Sequence, residues 1–155
     1  MKHLKIYTNG AADTANSSYG GWAYVMVEEE NWVENSGRVS ITNANRLKMT
    51  AMLQALESVI GRSSKPDEVI LYSDSEYCIE CFSGGRRVAH RHRHAELINP
   101  CLDIVLALQQ ARTTVRFKWL EKRIRDPFIG SALSIAKAEL KGNEPESHNL
   151  WAFLA

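Results

Sequence analysis

Val69-Ile70-Leu71-Tyr72-Ser73-Asp74 decides the fold. Its first four residues are a short, continuous apolar run bounded by Pro66 and Asp74. Such a run marks a central parallel strand covered on both faces. Asp74 then sits at the carboxyl end of that strand, where ligands gather in open α/β sheets, so it is a stronger functional candidate than an arbitrary surface carboxylate.

Working outward, the stretch before this strand is helical from about Asn45. Met49, Met52, Leu53, Leu56 and Ile60 recur at helical spacing, Thr42 or Asn43 is available as N-cap, and Gly61 is the stop. Further upstream, Leu4, Ile6 and Thr8 alternate with Lys5 and Tyr7, and Trp22 to Val27 follows a turn-rich stretch, which reads as a hairpin. A third strand over Trp32 to Ser40 continues the meander, with Asn35-Ser36-Gly37 as a turn signal. Downstream, a short helix is expected over Ser75 to Phe82, a break at Ser83-Gly84-Gly85, and a longer helix from about Ala95 to Ala111. Val115, Phe117 and Trp119 alternate with Arg116 and Lys118 as a last strand. Asp126-Pro127 supplies an N-cap and a first-turn proline for a final helix ending near Gly142, with Ile129, Leu133, Ala136 and Leu140 as its stripe. The order predicts an α/β fold: a five-stranded mixed sheet, three antiparallel strands and then two α-connected ones, with helices packed on it.

With 155 residues and 45% hydrophobic content, one domain is expected over residues 1–142, followed by a C-terminal tail over 143–155. Nineteen Lys and Arg against eighteen Asp and Glu leave a formal charge of +1, so affinity for phosphate must come from local clusters. Met1 to Thr8 has no signal-peptide core and no stretch is long enough to span a bilayer, which predicts no membrane partner. The odd cysteine count (Cys78, Cys81, Cys101) argues for a reducing compartment, and a cytoplasmic location is expected.

Four local sequences stand in this order between Leu4 and about Leu140: Ile6-Tyr7-Thr8-Asn9-Gly10 with Gly20-Gly21, Thr42 to Met49, Leu71-Tyr72-Ser73-Asp74-Ser75-Glu76-Tyr77, and Phe117-Lys118-Trp119 leading into Asp126-Pro127. Together they resemble the ribonuclease H family. The resemblance implies a ribonuclease H-like fold and a site of four carboxylates, from the first strand, the first helix, the central strand and the last helix, holding two Mg²⁺ or Mn²⁺ ions. Those ions activate the attacking water and stabilise the leaving oxygen. Carried over, the four positions are Asn9, Lys48, Asp74 and Leu133, and only Asp74 is a carboxylate. Asn9 keeps an oxygen ligand but loses a charge, and Leu133 cannot coordinate a hard cation. Lys48 would repel Mg²⁺ and pair with Asp74, so the formal charge of the four positions goes from about minus four to about zero. No acidic residue lies between Asn43 and Ala51, and none follows Pro127 until Glu139, so sliding the alignment restores no ligand. Glu57 reads as a solvated residue or a neighbour of the site, and Asp126 as a helix cap.

The resemblance also implies a turn that meets the minor groove of an RNA–DNA hybrid, which Asn43, Asn45 and Arg46 match in part. Helix capping is the alternative role for the two asparagines. Arg86, Arg87, Arg91 and Arg93 fall near a basic handle that grips the substrate backbone in some members, and the interleaved His90, His92 and His94 would add charge below about pH 6.5. Lys122, Arg123 and Arg125 form a second basic cluster. Cys78, Cys81, Cys101 and the three histidines are zinc ligand types without finger spacing, so buried thiols are expected instead.

Trp151 and Phe153 in the tail need a cover, from the domain itself or from a partner or second copy. Three functions remain open, in this order: an inactive ribonuclease H-like protein that binds nucleic acid; a protein-interaction or oligomeric scaffold with a metal-free pocket; and an active hybrid ribonuclease with a rearranged site. No cofactor is expected, with Mg²⁺ or Mn²⁺ reserved for the last.

Overall fold

A computed structural model describes residues 2–12, 19–40 and 43–140. β1 (His3–Ala12), β2 (Tyr19–Glu28) and β3 (Asn31–Ser40) form an antiparallel meander, while β4 (Glu68–Ser73) and β5 (Thr114–Trp119) add in parallel, giving the order β3-β2-β1-β4-β5. The expected five-stranded mixed sheet is therefore the observed one. β4 sits between β1 and β5 with Val69 and Leu71 fully buried, which explains its continuous apolar run.

Helices cover both faces. α1 (Ala44–Ile60), α2 (Glu76–Ser83) and α3 (Ala95–Gln110) share a core with Leu4, Ile6, Trp22, Val69 and Leu71. α4 (Pro127–Leu140) packs on the other face, where Ala132, Ile135 and Ala136 meet Ala11, Ala23 and Val25. Alternation along β1, β2 and β3 sends successive side chains to these two cores, while β4 and β5 feed the first. Two glycines set the approach of the helices. A Cβ on Gly10 would lie 2.6 Å from Leu47 Cβ of α1, and one on Gly21 would collide with the Ala136 carbonyl of α4.

Asn43 caps α1, its Oδ1 accepting from the Arg46 amide at 3.0 Å, while Thr42 lies outside the described residues. Asp126 caps α4 as expected, accepting from the amides of Phe128 and Ile129 at 2.9 and 3.0 Å. The third strand expected over Trp32 to Ser40 is β3, and the turn signal Asn35-Ser36-Gly37 runs through its middle as extended chain. Gly37 is there because Trp22 of β2 crosses it and occupies the space a Cβ would need. The chain reverses earlier, at Glu29-Glu30, where Glu29 takes the left-handed conformation (φ 54°). Gly142 and the tail with Trp151 and Phe153 lie outside the described residues. Among the described residues no helix is long and apolar enough to cross a membrane.

Candidate functional site

At the carboxyl ends of β1 and β4, a cavity of about 450 Å³ brings together residues far apart in sequence. Asn9, Lys48, Asp74 and Leu133 all line it, each from a different segment: β1, α1, the turn after β4, and α4. Gly10 lets α1 lie close enough on β1 for Lys48 to enter beside Asp74. Lys48 Nζ donates to Asp74 Oδ1 at 2.7 Å, with only 9% of the lysine side chain and 6% of the aspartate side chain exposed. The ion pair expected between them is present. Both charges are out of water, and each is tolerable there because the other neutralises it. The Asp74 turn is braced further: its carbonyl accepts from Trp119 Nε1 at 3.3 Å, and Ser73 Oγ accepts from the Ser75 amide at 3.1 Å.

Asn9 is fully buried and engaged with its surroundings. Its Oδ1 accepts from the Gly10 amide at 2.9 Å, and its Nδ2 faces the Ile129 carbonyl of α4 at 3.4 Å. Leu133 packs against the α4 core and offers no donor atom. Asp126 also lines the cavity but its Oδ1 serves the α4 cap. A pair of hard divalent cations needs several oxygen ligands of high negative charge. The residues present do not fit such a pair: the central carboxylate oxygen holds an ammonium, one flanking ligand is an amide turned to the backbone, and another is a hydrocarbon.

The positions expected to contact nucleic acid divide. Asn43, Asn45 and Arg93 line a second cavity, of about 430 Å³, together with Tyr77 and His94. Asn45 Oδ1 accepts from Ser75 Oγ at 3.2 Å, so it ties the start of α1 to the cap of α2. Arg46 is engaged within the fold: Nη1 donates to the Arg93 carbonyl at 2.7 Å and to His94 Nδ1 at 3.2 Å, and Nη2 pairs with Glu96. Arg87 pairs with Asp103 at 2.6 Å in the open. Arg86, Arg91 and Arg93 are exposed, on a loop clamped by Asn99, whose side chain binds both the amide and the carbonyl of Val88.

His94 departs from the expectation that it adds surface charge near pH 6.5. It is 2% exposed, and burial first, then Arg46, Arg93 and His92, lowers its pKa. An arginine can only donate, so the His94 Nδ1 that faces Arg46 is an acceptor and the ring is neutral. The three thiols are free; Cys78 and Cys101 are buried and burial pushes Cys101 up to about 12. Among the described residues no three His, Cys, Asp or Glu side chains gather in a way that could hold a metal ion. Sequence reasoning missed His94, Glu96 and Asn99 as organisers of the basic loop, and Lys137 as a cavity residue. Lys137 stands one turn beyond Leu133 on α4, so helical spacing from that position was the available signal.

A family model described as RNase H matches residues 1–122, which includes β1 through β5 and stops before α4. Ribonuclease H of Campylobacter jejuni is 32% identical over 80 residues, 52% of this chain and 51% of that protein. Ribonuclease H of Chlorobium phaeobacteroides is 37% identical over 85 residues, 55% of each. The matched region thus spans about half the length of these curated relatives. Among solved structures, LC11-RNase H1 in complex with an RNA/DNA hybrid superposes with a TM-score of 0.67 at 19% identity, covering 98% of this chain and 99% of that one. The N-terminal RNase H domain of rv2228c from Mycobacterium tuberculosis gives 0.67 at 15% identity over the whole of both chains. These likenesses show the fold.

Proposed function

This chain belongs to the ribonuclease H family, and from that premise we propose that it is a member without hydrolytic activity that binds the backbone of an RNA–DNA hybrid or duplex and needs no metal ion. The observation that carries the reading is the buried contact of Lys48 Nζ with Asp74 Oδ1 at 2.7 Å. Two-metal hydrolysis generates its nucleophile from ion-bound water, and an ammonium held on the central carboxylate opposes the entry of those ions by charge and by position. Asn9 and Leu133 restore no charge.

Two observations support retained binding. LC11-RNase H1, a structure of the same fold, is in complex with an RNA/DNA hybrid. The exposed Arg86, Arg91 and Arg93 stand on the loop that adjoins the Asn43–Asn45 cavity, where phosphates would meet exposed guanidinium groups.

The test is fluorescence anisotropy with a labelled RNA–DNA hybrid at a series of salt concentrations, with the same samples run on a denaturing gel. The expected result is affinity that falls with salt, is indifferent to EDTA, Mg²⁺ and Mn²⁺, and yields no cleavage product. Metal-dependent cleavage, or no affinity at any salt, would overturn the reading.

A further inference from the structure

The cavity around Lys48 and Asp74 holds more cations than their ion pair requires. Lys48, Lys122, Arg125 and Lys137 line it, against the carboxylates of Asp74, Glu121 and Asp126. These groups leave the lining with a formal charge of +1; Asp74 is held by Lys48, and Asp126 Oδ1 by the first amides of α4. Lys122, Arg125 and Lys137 are exposed, and among the described residues none of them is in an ion pair. They reach the cavity from two sides, Lys122 and Arg125 from the segment after β5 and Lys137 from α4. Arg125 does so from a left-handed backbone (φ 54°, ψ 50°), which residues with a Cβ rarely adopt.

Three cations that make no ion pair among the described residues, gathered around one concave site, suit a polyoxygen anion, and a guanidinium adds the planar fork that phosphate oxygens accept. We propose that this cavity is a phosphate site, in which Lys137, Lys122 and Arg125 hold a phosphate group of a nucleic-acid strand or a nucleotide directly. Side-chain cations here do the neutralising that divalent ions perform in a two-metal site. The inference rests on the nucleic-acid reading above and names its central contact.

The experiment compares the wild-type chain, Lys137→Gln/Arg125→Gln, and Arg86→Gln/Arg91→Gln by anisotropy on a labelled RNA–DNA hybrid, in EDTA, from low to moderate salt. Adenosine 5′-monophosphate serves as competitor and as a second titrant. Arg125 and Lys137 are exposed, so their substitution is expected to leave the fold intact. The expected result is an affinity lowered about tenfold or more in Lys137→Gln/Arg125→Gln, with a log–log salt slope shallower by about two. Displacement of the hybrid by the nucleotide identifies a terminal phosphate as the occupant; its failure to compete identifies a backbone phosphodiester. Unchanged affinity and slope in Lys137→Gln/Arg125→Gln, with Arg86→Gln/Arg91→Gln weakened, overturns the cavity site and leaves the binding function standing. Wild-type binding that requires Mg²⁺ also overturns it, and a wild-type chain with no affinity for the hybrid removes both.

Discussion

Replacing Lys48 with methionine keeps a straight-chain helix former in α1 but leaves the Asp74 carboxylate buried without its counter-charge. At 2.7 Å, and with an effective dielectric of about 20, the gross attraction of such a pair is roughly 6 kcal/mol, most of which offsets the cost of taking both groups out of water. Removing one partner forfeits the attraction while the other still bears its desolvation, and breaking buried pairs in this way costs about 3–5 kcal/mol. For a chain of this size that lowers Tm by roughly 6–20 °C. Lys48→Met/Asp74→Asn removes both charges and should recover most of the loss, giving a coupling energy of about 2–3 kcal/mol in a double-mutant cycle. Urea unfolding followed by circular dichroism on the wild type, both single variants and the double variant reads these values directly. A loss of less than about 1 kcal/mol in Lys48→Met, with no coupling to Asp74, would mean that the two groups are solvated as an ordinary surface pair, and the structural basis for excluding metals would fall with it.

Three further outcomes are expected. Because the folded pKa of His94 lies below its unfolded value, the unfolded chain takes up a proton that the folded chain refuses as pH falls through about 6.5. The wild type should therefore lose up to about 1.4 kcal/mol more stability per pH unit below that point than His94→Gln, and parallel stability curves between pH 7.5 and 5.5 would refute the assignment. Gly21→Ala drives a methyl group into the Ala136 carbonyl of α4 and should destabilise by about 2–3 kcal/mol, visible in thermal denaturation; an unchanged Tm contradicts the close packing of α4 on β2. With Cys101 pushed up to about 12 and both Cys78 and Cys101 buried, a thiol reagent at pH 8 should label Cys81 first, and the other two only as the chain unfolds. Rapid labelling of all three in native buffer contradicts their burial.

Much of the fold was legible because its decisive signals are local. The apolar run of β4, the Asn43 cap and the Asp126-Pro127 start of α4 each state their structure within a few residues. The turn signal at Asn35-Ser36-Gly37 blurred the third strand for the converse reason: a glycine required by a loop and one required by a crossing indole look alike in sequence, and only pairing with β2 shows that Gly37 accommodates Trp22. Lys48 illustrates the limit for the site. A lysine in an amphipathic helix reads as solvated, and its burial follows from the nearness of α1 to β1 at Gly10, so its role was visible only through the family resemblance. Arg46 and His94 were read as surface cations because their bonds to each other span 48 positions, which no local pattern reports. Lys137 escaped notice since its importance comes from the three-dimensional convergence of α4 with the segment after β5.

The most direct test of the central claim, that Lys48 on Asp74 takes the place of the metals, is a calorimetric titration of Mg²⁺ and of Mn²⁺ into the purified chain at neutral pH, repeated on Asp74→Asn. The account predicts no saturable heat with either ion in either protein. Saturable binding by the wild type that disappears in Asp74→Asn would show that Asp74 is a working metal ligand and would contradict it.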